Sequence, residues 1–248
     1  MSSGAWITTS WDDGHPLDMR LAEMLHRNNL KATFYIPRAI PSGVMSESEI
    51  RELSQSFEIG GHTLDHLFLP TIPDAQANLQ IVGCKKWVED TTGQDCRMFC
   101  PPAGKFTEAH RGMIAGARFI GLRSVEFLST SPPKRVNGLL EMPTSLQSFP
   151  HPRKSYLKNS IKRKSWSGLF QYFLQGAPDN WEKHAEKLLK AVIKHGGVFH
   201  LWGHSWEIEK TNQWEPLGRV LKLMGQFVGN ARAGTNREVC EAFAPYFI

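Results

Sequence analysis

The stretch "AWITTSWDDGHP" (residues 5–16) ends a short apolar run with two adjacent carboxylates, Asp12 and Asp13. Side chains of neighbouring residues in an extended strand point to opposite faces, so two adjacent acids serve one site only where the backbone bends. Gly14 permits such a bend, because glycine adopts conformations that other residues avoid. A simple turn rich in Asp and Gly has the same composition. The motif alone therefore leaves a turn and a functional site open.

Short β-branched or aromatic runs alternate with helical patterns along the chain. The predicted strands are 5–10, 32–37, 57–61, 97–102, 119–124, 139–142 and 198–204. The predicted helices are 17–28, 47–55, 74–91, 107–117, 181–195, 215–228 and 236–243. Apart from its one strand, the region 128–180 is predicted to be irregular. This alternation predicts an α/β fold with a parallel sheet, and about seven βα units favour a distorted (β/α) barrel over an open sheet.

Residues whose side chains can act in catalysis or bind a metal follow the ends of the predicted strands. In (β/α) barrels, catalytic groups gather at the C-terminal ends of the strands. The candidates at these ends are Asp12, Asp13, His62, His66, the segment "CPPAGK" (100–105), Arg123 and His204. His62 and His66 are four residues apart, so a helical turn would place both imidazoles on one face. Two histidines and one carboxylate are typical of a catalytic site for a divalent metal.

Composition narrows the class of protein. The chain has 248 residues, a net charge of +5 and four cysteines without CxxC spacing. We expect a single catalytic domain over 1–248, reduced thiols and, without a recognisable signal sequence, a cytoplasmic location. Six positive charges and no acid lie in "RKSYLKNSIKRK" (153–164), a segment expected either to meet an anionic partner, such as a membrane surface, or to be simply solvated. No motif for reading nucleic acid is found, and the oligomeric state is not indicated.

Three motifs carry a resemblance to a known family. "SWDDG", "HTLDH" and "PPAG" resemble, in order and separation, the first three motifs of the polysaccharide deacetylases of carbohydrate esterase family 4, the NodB-homology family. The resemblance covers about residues 5–207 and implies a distorted (β/α) barrel of about seven strands. It implies that Asp12 is the general base and that Asp13, His62 and His66 bind a divalent metal. Zinc is the first choice, with cobalt, nickel, iron and manganese as alternatives.

The resemblance also implies how the substrate is held. The family removes an N-acetyl or other N-acyl group from an amino sugar by attack of water activated at the metal. In the third motif, the backbone N–H of Ala103, between Pro102 and Gly104, is expected to stabilise the oxyanion. His15 and Trp202 are expected to line the substrate groove. The alternatives are a turn role for His15 and rim packing for Trp202.

The late motifs are less well matched. His204 is the expected acid for the leaving amine, at the position that resembles the family's late "LxH" motif, and His200 is its competitor. The fourth motif, which in the family orients the catalytic histidine, is not recognisable. Glu126 and Glu207 are both candidates for that role.

One departure concerns the general base. The third motif of the family begins with an Arg that holds the catalytic carboxylate, whereas this chain has Cys100. We expect Arg123 to replace it beside Asp12. The chain is thus a divergent member whose substrate is expected to be a small or lipid-linked N-acetylated sugar. The alternatives are a cyclic amide or ureide hydrolase (allantoinase-like) on the same metal site and a non-catalytic carbohydrate-binding barrel.

Overall fold

The structure, a computed structural model, describes residues 4–163, 166–174, 176 and 180–244. Its helices are α1 (Asp18–Arg27), α2 (Glu47–Ser54), α3 (Asp74–Thr92), α4 (Glu108–Gly116), α5 (Arg153–Arg163), α6 (Trp166–Leu174), α7 (Trp181–His195), α8 (Ser205–Lys210), α9 (Trp214–Gln226) and α10 (Asn236–Phe243). Its strands are β1 (Ala5–Asp12), β2 (Ala32–Ile36), β3 (Glu58–Gly61), β4 (Met98–Phe99), β5 (Gly121–Arg123), β6 (Lys134–Val136), β7 (Leu139–Met142), β8 (Leu146–Gln147), β9 (Gly197–Gly203) and β10 (Arg232–Ala233).

The strands form one curled, almost entirely parallel sheet. The strand order is β6-β7-β5-β4-β3-β2-β1-β9-β8, with β10 beside the first half of β1, and β6 is the one antiparallel strand among the described residues. Only residues 143–145 separate β7, which pairs with β5, from β8, which pairs with β9. The two ends of the sheet therefore meet, and the predicted (β/α) barrel of about seven strands is confirmed.

The parallel arrangement brings the strand ends to one rim. β1 ends at Asp12, β3 at Gly61, β4 at Phe99, β5 at Arg123 and β9 at Gly203. Because neighbouring parallel strands end on the same side, the loops that follow them converge there. At the opposite end, α10 contacts β1 and β2 on one side of the ring and β5 and β7 on the other.

Local signals explain where several helices begin. Ser46 caps α2 in a capping box with Glu49. The side chain of Asn180 accepts the N–H groups of Glu182 and Lys183 at the start of α7. These caps satisfy backbone donors that would otherwise be unpaired at a helix N-terminus.

The prediction for residues 128–180 was wrong in one respect: this region contains α5 and α6. Proline, serine and basic residues conceal a helical spacing in which Tyr156 and Ser160 are buried and the residues between them are more exposed. The basic segment 153–164 is thus mostly α5, and Lys164 lies outside the described residues. The short elements β6, β8, β10 and α8 were also missed. In the described part of the chain, no helix is long and apolar enough to cross a membrane.

Candidate active site

The backbone bends sharply where β1 ends. Asp13 has a φ of 81° and Gly14 a φ of 62°, and the N–H of Asp13 donates to the carbonyl of Tyr35. A Cβ at Gly14 would lie 2.5 Å from a methyl carbon of Ile36, so no larger residue fits this turn without displacement. Asp12 and Asp13 are 3% and 4% exposed. Two buried neighbouring carboxylates thus face one site, as the bend predicted from the sequence requires.

Asp13 lies at the centre of a cluster of three metal-ligand side chains. Its Oδ1 is 3.1 Å from Nε2 of His66 and 3.5 Å from Nε2 of His62. All three candidate ligand atoms lie within 4.8 Å of one another. His62 is buried and His66 is half-buried, so the cluster opens to solvent on one side. This is the one such cluster of at least three residues found in the described part of the chain.

The predicted helical turn between the two histidines was wrong. Residues 62–66 form a loop in which Thr63 and His66 have φ values of 57° and 53°. Gln80 on α3 holds this loop, because its carbonyl accepts the N–H of Leu64 and its side-chain oxygen accepts the N–H of Asp65. The imidazoles converge, with ring centroids 5.0 Å apart, through this loop and not through a helix face.

The hydrogen bonds of His62 test whether the cluster fits a metal. Nδ1 of His62 is 2.7 Å from the carbonyl of Cys100, which can only accept, so Nδ1 carries the proton. In the neutral ring, Nε2 then presents a lone pair to the carboxylate of Asp13. Two acceptors face each other favourably only with a cation or a proton between them, and metal-binding histidines commonly donate their other N–H in this way. The residues therefore fit a divalent cation.

One carboxylate oxygen of Asp13 is available to bind a cation. Its Oδ2 accepts the indole N–H of Trp206 at 2.9 Å, whereas Oδ1 is buried without a hydrogen-bond partner among the described residues. A proton on Nε2 of His62 and of His66 can take the place of the cation, and these imidazoles then outweigh the effect of burial and hold the pKa of Asp13 well below its usual range. The carboxyl group is thus ionised, as a metal ligand must be.

Arg123 pairs with the neighbouring carboxylate. Its Nη2 donates to both oxygens of Asp12, and both side chains are buried. The guanidinium lies 4.7 Å from the ring centroid of Trp202 and 5.4 Å from that of Tyr35. Burial acts to raise the pKa of Asp12, but the opposite effect of the Arg123 charge is among those that outweigh it. The pKa of Asp12 therefore lies below its ordinary value. The structure thus brings Arg123 to the carboxylate that the sequence analysis assigned to it.

Cys100 lies beside this pair. Its Sγ is 3.9 Å from Oδ2 of Asp12, and burial raises the pKa of the thiol well above its usual value. The side chain therefore remains a neutral thiol and is not part of the Asp13–His62–His66 cluster.

His204 faces both carboxylates from the end of β9. Its Nε2 is 3.9 Å from Oδ2 of Asp12 and 4.0 Å from Oδ2 of Asp13, and its Nδ1 pairs with Glu207. Burial acts to lower the pKa of His204, but Glu207 and the two aspartates raise it above its ordinary value. The environment thus favours the imidazolium form, which can donate a proton.

Glu207 is itself positioned by a neighbour. The side-chain amide of Gln147 donates to Glu207 at 2.8 Å, and His151 lies 2.7 Å from the amide oxygen of Gln147. Of the two acids left open by the sequence, Glu207 contacts His204. Gln147 was missed, because its position on β8 carries no recognisable motif.

His200, the competitor of His204, has a different environment. It is 1% exposed, its Nδ1 lies 3.0 Å from the carbonyl of Pro143, and its Nε2 lies 2.9 Å from the hydroxyl of Ser10. Burial, together with the charge of Arg123, lowers the pKa of His200 to about 3. It is therefore neutral, and its one ring proton is bound by the carbonyl of Pro143, so His200 is not suited to protonate a leaving group.

The turn after β4 exposes a backbone donor. Pro102–Gly104 form a 3-10 turn in which Ala103 is exposed and has a φ of 55°. The N–H groups of Gly104 and Lys105 donate to Pro101 and Pro102. Within the described residues, no hydrogen bond uses the N–H of Ala103. This N–H is thus free to bind a ligand atom at the rim.

Two residues expected in the substrate groove have structural partners. Nδ1 of His15 accepts the N–H of Leu17 at 3.2 Å, so His15 stabilises the turn before α1. Trp202 is 6% exposed and lies between Arg123 and the ring of His204, whose centroid is 5.6 Å away. In this structure Trp202 packs beneath the site, and its place in the substrate groove stays a prediction.

A comparison with protein families places these residues in context. Residues 3–125 match the family model described as polysaccharide deacetylase. Over 109 residues, 43% of this chain, the sequence is 29% identical to chitin deacetylase 1 of Cryptococcus neoformans var. grubii. The match spans only 23% of the length of that curated relative.

Several solved structures share the fold. A Mycobacterium smegmatis protein described as a polysaccharide deacetylase has a TM-score of 0.73 and 12% identity, covering 100% of this chain and 93% of its own. The chitin deacetylase of Colletotrichum lindemuthianum has a TM-score of 0.59 and 17% identity, covering 96% and 88%. A CE4 family pseudoenzyme from Bacillus anthracis has a TM-score of 0.59 and 15% identity, covering 97% and 66%. At these identities the likeness shows the shared fold alone.

Proposed function

We propose that this chain, which belongs through residues 3–125 to the polysaccharide deacetylase family, is a metal-dependent hydrolase that removes an N-acetyl or other N-acyl group from an amino sugar. One observation carries the proposal. The Asp13–His62–His66 cluster lies beside an ionised Asp12 and a His204 whose pKa is raised. A possible metal site, a base and an acid are thus within a few ångströms of one another.

Asp13, His62 and His66 would hold the cation. A bound divalent cation acts as a Lewis acid that polarises the amide carbonyl and lowers the pKa of water to about 7. Two nitrogen donors and one oxygen donor suit zinc, and cobalt, nickel, iron and manganese accept the same set. Trp206 fixes the orientation of the Asp13 carboxylate by donating to its second oxygen.

Asp12 is the proposed general base. Arg123 keeps this carboxylate ionised and limits its rotation by donating to both oxygens. A lowered pKa makes Asp12 a weak base by itself, so it serves best where the attacking water has already become acidic. Its position beside Asp13 is suited to taking one proton from that water.

His204 is the proposed acid. Its Nε2 faces Asp12 and Asp13, and its Nδ1 is committed to Glu207. The imidazolium form donates a proton to the amine nitrogen as the carbon–nitrogen bond breaks, and Glu207 stabilises the positive charge before that transfer. The N–H of Ala103 is the proposed donor to the oxyanion.

The substrate is proposed to be a small or lipid-linked N-acetylated sugar, and the cytoplasmic location stays a prediction. The positive charge of helix α5 favours a substrate that carries an anionic group or that lies at an anionic surface. Its Asn159 binds the loop that follows Arg123, through the carbonyl of Val125 and the N–H of Phe127, both at 3.1 Å.

Acetate release from a panel of N-acetylated sugars tests the proposal. The panel runs from monosaccharides and nucleotide sugars to lipid-linked sugars and chitin oligomers. Protein stripped of metal is compared with protein reloaded with zinc or cobalt, and Asp12→Asn is assayed beside it. We expect acetate release that depends on metal and is lost in Asp12→Asn. Ring-opened acid from cyclic amides without acetate from any sugar would contradict the proposal.

A further inference from the structure

Helices α5 and α6 present an apolar face to solvent. The six exposed hydrophobic side chains of the two helices are Leu157 (41% exposed), Ile161 (50%), Trp166 (60%), Phe170 (64%), Phe173 (59%) and Leu174 (64%). We call this set, together with Lys154, Lys158 and Lys162, the α5–α6 face. Clusters of exposed hydrophobic side chains on this scale mark interaction sites.

The spacing of the residues explains why the apolar side chains point outward. Trp166, Phe170 and Phe173 recur at i, i+4 and i+7, the spacing of one helix face. Tyr172 lies on the other side of α6, is 2% exposed, and packs on Tyr156 with ring centroids 5.3 Å apart. Helix α6 is thus anchored by one face and leaves its aromatic face uncovered.

Three lysines lie on the exposed side of α5, and one of them, Lys162, lines a cavity with Glu108, Glu126 and Glu141. Lys154, Lys158 and Lys162 recur every four residues on α5, and all three are exposed. The sequence contains no Asp or Glu between Glu141 and Asp179. In the part of the chain that the structure describes, no carboxylate forms an ion pair with these three lysines. The face therefore attracts a surface that is both apolar and anionic.

We propose that the α5–α6 face docks on an anionic lipid bilayer. Lysines beside tryptophan and phenylalanine are typical of helices that lie in the membrane interface, where the rings enter the boundary of the acyl chains and the lysines meet lipid phosphates. The helices have 11 and 9 residues, well below the roughly 20 needed to span a bilayer. A second copy of this chain is a poorer occupant, because a two-fold contact through this face would bring its lysines together.

The position of the face relates it to the active site. Asn159, on the inner side of α5, binds Val125 and Phe127 in the loop that follows Arg123. The side chain of Val125 packs against Gly104, in the turn that carries Ala103. Docking would therefore bring the rim of the barrel close to the lipid headgroups. That consequence, delivery of a lipid-linked amino sugar, rests on the proposed function, whereas docking itself does not.

Vesicle sedimentation with the full chain tests the docking. One set of vesicles is pure phosphatidylcholine, and the other has equal parts phosphatidylcholine and phosphatidylglycerol. We expect binding to the anionic vesicles that weakens with salt, and little binding to the neutral ones. Removing the charge in Lys154→Gln/Lys158→Gln/Lys162→Gln should weaken binding about fivefold per lysine, or about a hundredfold in total. Trp166→Ser/Phe170→Ser should lose the apolar contribution and bind more weakly at every salt concentration.

Two matched controls come from elsewhere on the surface. Lys194→Gln/Lys210→Gln/Lys222→Gln removes three other exposed lysines, and Leu79→Ser/Val82→Ser removes two other exposed apolar side chains. Both should bind anionic vesicles as the unmodified protein does. Circular dichroism checks that each variant is folded.

Three results would overturn the docking proposal. They are the absence of binding to anionic vesicles, equal loss in the matched controls, and a stable dimer that Phe170→Ser dissociates. The experiments distinguish a failure of the docking proposal from a failure of the proposed function. Vesicle binding without acetate release from any sugar would leave the face in place and reject the deacetylase. Acetate release without vesicle binding would reject only the docking.

Discussion

Replacing Arg123 by methionine removes one half of a buried ion pair. Arg123 is 0% and Asp12 is 3% exposed, so Arg123→Met leaves the Asp12 carboxylate without its counter-charge and away from water. Breaking such a pair typically costs about 3–5 kcal/mol of folding free energy. For a chain of this size, each kcal/mol lowers Tm by about 2–4 °C, so a loss of roughly 10 °C is expected at neutral pH.

The loss should depend on pH in a definite direction. In the unmodified protein, the pKa of Asp12 is lowered on folding, so this carboxylate stabilises the fold above its unfolded pKa and the contribution is lost in acid. Without Arg123, burial is opposed only by His62 and His204, and we expect the pKa of Asp12 to rise above its unfolded value. The charged carboxylate then opposes folding above the unfolded pKa of 3.8. The difference in Tm between the two proteins should thus be largest near neutral pH and shrink towards that pKa.

Thermal unfolding of four proteins over this pH range measures the effect. They are the unmodified chain, Arg123→Met, Asp12→Asn and the double variant. We expect the double variant to recover much of the stability that Arg123→Met loses, because neither position then carries an unpaired buried charge. Arg27→Met is the control, since Arg27 forms an exposed pair with Glu23 on α1, outside the site, and should change Tm little. A pH-independent loss, or a double variant no more stable than Arg123→Met, would refute the reasoning.

Three further variants test other parts of the site. Glu207→Gln removes the partner that raises the pKa of His204, so the basic limb of kcat/KM should move to lower pH and activity there should fall about tenfold or more. Trp206→Phe removes the N–H that binds Asp13 and should weaken zinc affinity about 10–100-fold in a chelator competition. Burial raises the pKa of Asp18 to about 8, so the stability of the metal-free protein should fall as pH rises between the unfolded value of 3.8 and about 8. In Asp18→Asn this fall in Tm should be smaller, and what remains is expected from Glu58, whose pKa burial raises to about 7.

Controls and contrary outcomes accompany these variants. Glu126→Gln should leave the pH profile unchanged, and an unchanged profile in Glu207→Gln would remove Glu207 from its assigned role. Trp214→Phe, whose N–H binds Glu209 away from the site, should keep its zinc affinity. Equal affinities for Trp206→Phe and the unmodified protein would mean that the indole does not support the metal site. A pH-dependent fall in Tm of undiminished size in Asp18→Asn would assign it to another group.

Much of the barrel could be predicted, because each strand of its ring is short, apolar and followed by a break. The bend at Asp13 and Gly14, the end of β3 before His62 and the end of β5 at Arg123 all follow from local residue types. Parallel strands bring such ends to one rim, so nearness of the candidate residues follows from the fold.

The contacts within the rim could not be predicted in the same way. The loop between His62 and His66 is held by Gln80, a residue on a distant helix, and spacing alone suggested a helical turn. The choice between Glu126 and Glu207 depended on α8, a short helix without a clear pattern. Helix α6 was missed because its exposed face is the apolar one, the reverse of the pattern typical of a surface helix.

The measurement that tests the account most directly combines metal titration with acetate release on one sample. Zinc is titrated into metal-stripped protein by calorimetry, and acetate is then measured with an N-acetylated sugar, in parallel for Asp12→Asn and Asp13→Asn. We expect binding of one zinc and acetate release by the unmodified protein, binding without release by Asp12→Asn, and greatly weakened binding by Asp13→Asn. Zinc binding by the unmodified protein with no acetate from any sugar would contradict it.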